Sequence, residues 1–459
     1  VAAATAGAGF DRDAVVEFLG AGSVFGRRSL FSGVAKIPHG AIVGLRGADV
    51  AEARWSRFAS LAPIGEIRED PVGRLADALV DALETVLKDG RGAVIDVTGG
   101  YDSRAILAAA LRTGRPFSTV VNGADDDADV IAANRIARAF GLRHRHQRVG
   151  AELPPRSFAA TRDALALTDG EFDALEYATV AAIHDRTAED GVPSVNGSSG
   201  ELCRGYWWDV LAAPSATDRF DARRLASARF AWDPFADAHL APELLRRGSL
   251  VDRCTAMVEA LVAEEGLEDA TDAAKADAVY LLARMQRWGG RLASATARLR
   301  PPVVPFQFAR PMAAALGAPV AARRGGRMAP RLVERLDRRL AAMPMAGGGP
   351  ALPLRLSTAH RFLPRAAALG ARALRRAARR VGVGGGNAAV SPVADAWTWP
   401  ETADLLRPEA MATRDFYADG ALARFFAASR RPGFSAPRAF GRALTLELTA
   451  RALRDLAAT

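Results

Sequence analysis

The chain has 459 residues, 49% of them hydrophobic and 25% charged, a balance typical of a globular protein with two or three domains. No run of about 18 apolar residues occurs, which excludes a membrane-spanning helix, and the first residues lack the pattern of a secretory signal. The net charge of +9 comes from a general bias towards arginine, so we expect no nucleic-acid partner. Two cysteines, Cys203 and Cys254, argue against a disulfide framework or a zinc site and predict a cytoplasmic protein.

The N-terminal part of the chain predicts three elements. Residues 11–19 form a short helix with Asp11 as its N-cap. Residues 29–45 are strand-like but interrupted by glycine and proline. Residues 70–87 place their apolar side chains on one helical stripe and predict an amphipathic helix.

The central motif is a turn between a predicted buried strand, 93–97, and a predicted helix, 105–111. The turn contains two hydroxyls, two glycines and one carboxylate: Thr98, Gly99, Gly100, Asp102 and Ser103. A glycine turn that leads into a helix directs backbone N–H groups and the positive end of the helix dipole to one place, which suits a phosphate. A carboxylate there points to a bridging Mg²⁺. An ordinary turn between strand and helix remains the alternative.

Two further strand–helix units follow. A strand at 117–121 ends in Asn122 and Gly123, and a helix covers 130–140. The acidic run before that helix either caps its first turn or contributes to a metal site. His144 and His146 lie on the next strand or just before it and, without a further cluster of cysteine or histidine, are structural or surface residues.

A helix at 171–188 and a short strand at 192–195 lead into a run of small residues that ends at Glu201. Glu201 either binds Mg²⁺ opposite Asp102 or caps the following helix. Alternating strands and helices predict an α/β fold with a doubly wound parallel sheet flanked by helices. Ligands of such sheets bind beyond the carboxyl ends of the strands.

The C-terminal half predicts helices over most of residues 207–300 and again from Asp415 onward. Between them, the arginine-rich stretch 361–381 is either a solvated helix or a site for an acidic partner. The C-terminal part is therefore expected to be helical.

Three motifs carry a resemblance to known families. The turn resembles the pyrophosphate loop Ser-Gly-Gly-x-Asp-Ser of the ATP pyrophosphatases, with Thr98 in the first serine position. Residues 30–40 resemble the junction that precedes the synthetase domain of asparagine synthetases. Residues 196–206 are similar to the signature G-E-G-x-D-E-L-x-x-G-Y of the same family, with matches at Glu201 and Tyr206 and departures at Gly197 and Gly200.

The resemblance implies an adenine nucleotide alpha hydrolase-like fold with three segments. Residues 1–60 would be a remnant of the junction, 61–345 the synthetase domain and 346–459 a helical extension. It further implies ATP and Mg²⁺ as cofactors, Asp102 and Glu201 as metal ligands, and Glu201 and Tyr206 as catalytic residues. The nucleotide-binding residues would be Val97, Thr98, Gly99, Gly100, Asp102, Ser103, Val121, Asn122, Gly123, Gly197, Ser198, Ser199 and Gly200.

By this resemblance the chain activates a small-molecule or peptide carboxylate as an acyl-adenylate, and ammonia or an amine then forms an amide. No cysteine precedes Cys203, so the chain lacks the nucleophile of a glutaminase. Nitrogen would come from free ammonia, from a separate glutaminase or biosynthetic partner, or from the substrate itself, as in β-lactam synthetases and lasso-peptide cyclases.

Departures from the family motifs keep a second class open. The family has a lysine in a later loop that stabilises pyrophosphate, whereas no lysine follows Lys275 here, which leaves Arg323, Arg324 or Arg327 to supply positive charge. Together with the changes at Gly197 and Gly200, this difference is compatible with a nucleotide-binding or scaffold protein of low catalytic activity in a biosynthetic complex.

Overall fold

A computed structural model describes residues 9–61, 69–148, 156–188, 191–205, 207–208, 220–231, 235–363 and 392–458. Its helices before the last strand are α1 (Arg12–Ala21), α2 (Phe58–Leu61), α3 (Pro71–Leu87), α4 (Tyr101–Thr113), α5 (Ala128–Phe140), α6 (Phe158–Thr168), α7 (Ala174–Ala188), α8 (Ala222–Arg229), α9 (Phe235–His239), α10 (Pro242–Leu245), α11 (Leu250–Glu264), α12 (Asp272–Val279) and α13 (Gly290–Thr296). Those after it are α14 (Ala309–Leu316), α15 (Val320–Arg323), α16 (Met328–Leu336), α17 (Arg338–Ala341), α18 (Pro392–Trp397), α19 (Pro400–Leu405), α20 (Ala421–Ser429) and α21 (Pro437–Ala458). A π-helix, Tyr280–Gly289, joins α12 to α13.

The strands are β1 (Ala41–Arg46), β2 (Asp49–Arg54), β3 (Val94–Asp96), β4 (Ser118–Gly123), β5 (His144–Arg148), β6 (Ser194–Val195) and β7 (Pro302–Val303). β1 and β2 form an antiparallel hairpin, and the other five form one parallel sheet in the order β5-β4-β3-β6-β7. The predicted α/β class, with a parallel sheet flanked by helices, is confirmed.

The strand order decides where a ligand site lies. Along the chain the sheet first grows from β3 through β4 to β5, and then continues from β6 on the other side of β3. The connections that follow β3 and β6 therefore leave the sheet in opposite directions, which opens a crevice at their carboxyl ends. The predicted turn follows β3, and the small residues before Glu201 follow β6.

Local sequence explains the two helices that hold β3 in place. α3 begins with Pro71 after the N-cap Asp70, whose carboxylate accepts the N–H of Gly73. Its buried leucines face α4, whose alanine-rich middle is fully buried and lets the two helices approach closely. α4 ends at Gly114, which adopts the left-handed conformation typical of glycine after a helix.

Several predicted boundaries change. α4 begins at Tyr101, four residues before the predicted start, so Asp102 and Ser103 belong to its first turn. Alanine and leucine marked only the buried body of this helix, whereas its first turn carries polar residues. The strand-like stretch 29–45 forms isolated bridges and then most of β1, whose partner β2 lies beyond the predicted stretch. β7 is not predicted, because its two residues lie within a proline-rich run that carries no strand pattern. The helix α6 is a further element that is not predicted.

The N-terminal segment packs into the same core as the sheet. Glu171, which is buried, accepts the N–H of Leu30 at 2.7 Å and pairs with Lys36 at 3.2 Å and with Arg291 at 2.5 Å. Leu19, Ile95 and Phe440, one from each predicted segment, belong to one hydrophobic cluster. The domain boundaries themselves stay a prediction.

Two other predictions concern residues that the structure does not describe. The basic stretch 361–381 lies outside the described residues from position 364 onward, and Tyr206 also lies outside them. In the described part of the chain, no helix combines the length and the apolar character needed to cross a membrane.

Candidate functional site

The turn after β3 is held together by its own hydroxyls. The N–H of Thr98 donates to Ser103 Oγ at 3.1 Å, and the two hydroxyl oxygens lie 2.9 Å apart. The N–H of Gly100 donates to Thr98 Oγ1 at 3.2 Å. Gly100 is the N-cap of α4 and has no side chain to cap it. This end of a 13-residue helix therefore directs its dipole and first-turn N–H groups towards the crevice.

An anionic oxygen already lies on this turn. Asp129, in the first turn of α5, accepts the N–H of Gly99 through Oδ1 at 2.8 Å. From the sequence, the acidic run before α5 either caps that helix or contributes to a metal site. In the structure, Asp129 of this run bonds instead to the turn after β3. Its carboxylate oxygen stands where a phosphate oxygen would accept the same hydrogen bond. The turn thus fits the phosphates of ATP chemically.

The segment after α17 covers the outer side of the turn. Arg104 is fully buried and donates to the carbonyls of Met343 and Pro344. The N–H of Ala346 donates to the Gly99 carbonyl at 3.4 Å. A Cβ at Gly99 would lie 2.6 Å from the backbone nitrogen of Ala346, so only glycine allows this close approach.

The loop after β6 packs directly on the first turn of α4. A Cβ at Gly197 would lie 2.7 Å from the Asp102 carbonyl carbon, and a Cβ at Gly200 only 2.4 Å from Asp102 Cγ. Between them, Ser199 is fully buried in the left-handed conformation, with φ of 67°, and its Oγ accepts a hydrogen bond from Gln307 at 2.9 Å. A strained non-glycine residue in a closely packed crevice is a feature of functional sites.

Asp102 and Glu201 do come together, as the sequence predicts, and a guanidinium lies between them. Arg204 Nη2 is 2.6 Å from Asp102 Oδ2 and 3.3 Å from Glu201 Oε1. The other oxygen of Glu201 accepts the hydroxyl hydrogen of Tyr280 at 2.8 Å. Both carboxylates are therefore engaged by donors of this chain.

Burial shifts the protonation of this cluster. Burial raises the pKa of Asp102 to about 7, with Glu201 adding to the rise and Arg204 opposing it. Burial also raises the pKa of Cys203 to about 12, so its thiol stays protonated and unreactive at neutral pH. Burial and the charge of Glu201 raise the pKa of Tyr280, which keeps its hydroxyl a donor.

These carboxylates, as arranged, do not fit a bound Mg²⁺. Mg²⁺ requires octahedral oxygen ligands, but both carboxylates already pair with Arg204. Glycine stands at 197 and 200, where the resembled family has acidic residues. Among the described residues, no group of three histidine, cysteine or acidic side chains could hold a metal. Asp102 and Glu201, as they are arranged around Arg204, therefore provide no ion for the chemistry of this site.

Three of the predicted nucleotide-binding residues, Val121, Asn122 and Gly123, lie at the end of β4. Val121 is buried in the core, and the backbone of Asn122 and Gly123 pairs with β5. His146 lies 3.0 Å from the Gly123 carbonyl through Nε2, which accounts for this histidine structurally. Asn122 Oδ1 is buried and accepts no hydrogen bond from any described residue. The side-chain amide of Asn122 is thus the polar group at this position whose bonding is incomplete.

A cavity of about 480 Å³ opens beside the loop that follows β6. Its wall includes Ser198, Ser199 and Glu201, and aromatic and arginine side chains line the remainder. The π-helix contributes four of these residues, Tyr280, Arg284, Met285 and Trp288. Irregular helical turns of this kind occur frequently at functional sites.

One predicted source of positive charge is buried elsewhere. Arg323 is 3% exposed and pairs with Asp277 at 2.8 Å, so its guanidinium cannot reach a ligand in the crevice. Arg324 and Arg327 are exposed, and pyrophosphate binding by either stays a prediction.

Sequence reasoning missed three residues of this cluster: Arg204, Tyr280 and Gln307. Arg204 lies inside the recognised motif, but at a position that the family pattern leaves open. Tyr280 and Gln307 are distant in sequence and carry no local motif. Only their contacts with Glu201 and Ser199 reveal them.

Asp96, at the end of β3, provides a test of burial in the sheet. Burial raises its pKa to about 7, although the charge of Arg300 opposes this. Between pH 4 and pH 7 the unfolded chain therefore loses a proton that the folded chain keeps, and stability falls as pH rises. Asp96→Asn should gain stability over the wild type by up to about 1.4 kcal/mol per pH unit in this window. Urea unfolding at pH 4.5, 6 and 8 measures this, and a difference independent of pH would contradict it.

Comparison with protein-family models and with curated proteins finds no match for this chain.

Proposed function

We propose that this chain is an ATP-dependent amide-forming ligase, similar to the synthetase domain of asparagine synthetases and built on a fold of the ATP-pyrophosphatase type. The observation that carries the proposal is the meeting of three features at one crevice. The glycine turn follows β3, the loop of Gly197 and Gly200 packs on it, and the cavity beside Glu201 opens from that loop. A nucleotide and a second substrate could meet there.

The turn supplies the phosphate contacts. Gly99 and Gly100 contribute backbone N–H groups, and Thr98 and Ser103 contribute hydroxyls, at the positive end of α4. Asp129 accepts the Gly99 N–H, and the other three groups bond to one another. Phosphate oxygens would replace Asp129 as acceptors of the Gly99 N–H. The N–H and hydroxyl donors of the turn would then stabilise the negative charge that develops on pyrophosphate as it leaves. In the reaction, a substrate carboxylate attacks the α-phosphorus and pyrophosphate departs.

The cavity supplies the place for the acyl substrate. The Arg284 guanidinium lies 3.7 Å from the centre of the Trp288 ring and forms no ion pair with a described carboxylate. Burial and the neighbouring charge of Arg438 lower the pKa of Arg284 to about 10, so the side chain remains charged at neutral pH. A guanidinium stacked on an aromatic ring keeps its planar set of N–H donors, which matches the geometry of a carboxylate. The favoured substrates are carboxylic acids with a second anionic group.

Glu201 lies where it can serve the second half-reaction. Its carboxylate forms part of the cavity wall, and Tyr280 orients it by donating to one oxygen. When ammonia or an amine attacks the acyl-adenylate, the nitrogen must lose a proton. Glu201 is the acceptor at this point of the crevice, and AMP departs as the amide forms.

Exchange of labelled pyrophosphate into ATP tests the proposal. We expect exchange that depends on one acid from a panel led by dicarboxylic acids and acidic peptides. Ser103→Ala should lower the rate by about 10²-fold, because it removes a hydroxyl from the pyrophosphate contacts. Ser60→Ala, which changes an exposed serine far from the turn along the chain, should leave it unchanged.

The same assay distinguishes the second candidate, a nucleotide-binding protein of low catalytic activity. That candidate is favoured by one observation, which is that Asp129 and Arg204 already satisfy groups of the site from within the chain. ATP binding without exchange for any acid would support it and would overturn the ligase. The addition of a separate glutaminase would not change this outcome, because exchange precedes attack by nitrogen.

A further inference from the structure

Two acidic side chains and one arginine form a compact unit at the centre of the crevice. Asp102 comes from the first turn of α4, while Glu201 and Arg204 lie three residues apart in and just after the 3₁₀ turn Gly200–Cys203. The side chains are only partly exposed, at 22% for Asp102, 34% for Glu201 and 31% for Arg204. Two carboxylates that contact the same nitrogen repel each other, and a positive charge between them favours the ionised form of both.

The guanidinium is suited to this position. It is planar, always charged and able to donate to two carboxylates at once, whereas a Mg²⁺ ion requires six oxygen ligands in a regular arrangement. Arg204 Nε is buried and has no acceptor among the described residues. The side chain contacts both carboxylates through one terminal nitrogen, Nη2, which donates to Asp102 and forms an ion pair with Glu201.

The surrounding backbone leaves little space for further ligands. At Gly200 an added Cβ would lie 2.4 Å from Asp102 Cγ, and at Gly197 it would lie 2.8 Å from the backbone nitrogen of Ser103. An acidic residue at either position would therefore require the two loops to separate. The two loops therefore pack too closely beside Arg204 to admit a further acidic side chain at position 197 or 200.

We propose that Arg204 takes the place of a divalent cation between Asp102 and Glu201, so that the free chain binds no divalent ion there. The proposal rests on the proposed function only in placing the phosphates of ATP beside this unit. Removal of the guanidinium frees two converging carboxylates, and these then form a cation site.

Titration of the full chain with Mn²⁺ alone, followed by the electron paramagnetic resonance signal of free Mn²⁺, tests this. The wild type should show no site that depends on Asp102. Arg204→Gln should gain one Mn²⁺ site. Its affinity should be at least about tenfold higher than any Mn²⁺ binding at this position in the wild type, because the substitution removes a positive charge next to the ion. Combining it with Asp102→Asn should abolish that site. Circular dichroism confirms that each variant is folded.

Two further variants keep the result interpretable. Arg204→Lys retains a positive charge and should gain no Mn²⁺ site. Arg310→Gln removes an exposed arginine that pairs with the single carboxylate Asp81, and should also gain none. A wild-type Mn²⁺ site that Asp102→Asn removes would overturn the proposal, even if Arg204→Gln failed to fold. A folded Arg204→Gln chain without a new site would overturn it as well. Neither result depends on pyrophosphate exchange.

Discussion

Replacement of Asp277 by alanine is expected to lower the free energy of unfolding by about 3–5 kcal/mol. Asp277 and Arg323 are both almost fully buried, and their charged atoms lie 2.8 Å apart. Trp208 donates its indole N–H to the same carboxylate at 3.1 Å, and the guanidinium lies 4.1 Å from its ring. Without Asp277, a buried guanidinium would lose its counter-charge and the indole N–H its acceptor.

Guanidinium chloride unfolding measures this change. Asp81→Ala, which removes an exposed partner of Arg310, provides the control and should change stability by less than about 1 kcal/mol. The double variant Asp277→Leu with Arg323→Met should recover most of the loss, because it removes both charges and keeps an apolar volume. Equal effects of Asp277→Ala and Asp81→Ala on the free energy of unfolding would contradict this prediction, because they would show that Arg323 is not destabilised by the loss of its buried partner.

The Asp277–Arg323 pair also contacts the candidate site. Arg323 donates to the Leu202 carbonyl at 3.3 Å, directly after Glu201 in the chain. Loss of Asp277 should therefore also disturb the position of Glu201 in the crevice. We expect the rate of pyrophosphate exchange to be lower in Asp277→Ala even under conditions in which the variant remains folded.

Placing an aspartate at position 200 is expected to impair the protein, although the resembled family has an aspartate there. The new Cβ would overlap Asp102 Cγ at 2.4 Å and Asp102 Cβ at 2.7 Å. Overpacking of this kind costs about 1–3 kcal/mol. A displacement by about 1 Å of the first turn of α4, which carries Ser103 next to Asp102, would also lower the exchange rate by about 10²-fold.

The matched control for Gly200→Asp is Gly347→Ala, since a Cβ at Gly347 meets nothing within 4 Å. Thermal unfolding and pyrophosphate exchange are measured for both variants, together with Gly200→Ala. Gly200→Ala should show the loss of stability without an added charge. If Gly200→Asp were as stable and as active as the wild type, the two loops would not pack as described.

The sequence predicts a structural feature best where that feature depends on residues that are neighbours in the chain. Thr98, Gly99, Gly100 and Ser103 lie between a buried strand and a helix, and their pattern alone identified the turn. The helix boundary was misplaced because polar residues in a first turn resemble a loop. β7 escaped prediction because Pro302 and Val303 form a strand only through their pairing with β6.

The sequence by itself therefore determined the alternation of strands and helices, the glycine turn after β3 and the second loop that ends at Glu201, because these depend on local periodicity and on turn chemistry. Only the tertiary structure decided that Arg204 lies between Asp102 and Glu201 and that Tyr280 orients Glu201. It also decided that Arg323 is buried on Asp277. The physical reason is that arginine reaches several acceptors equally well, and only the packing of distant segments determines which carboxylate it meets.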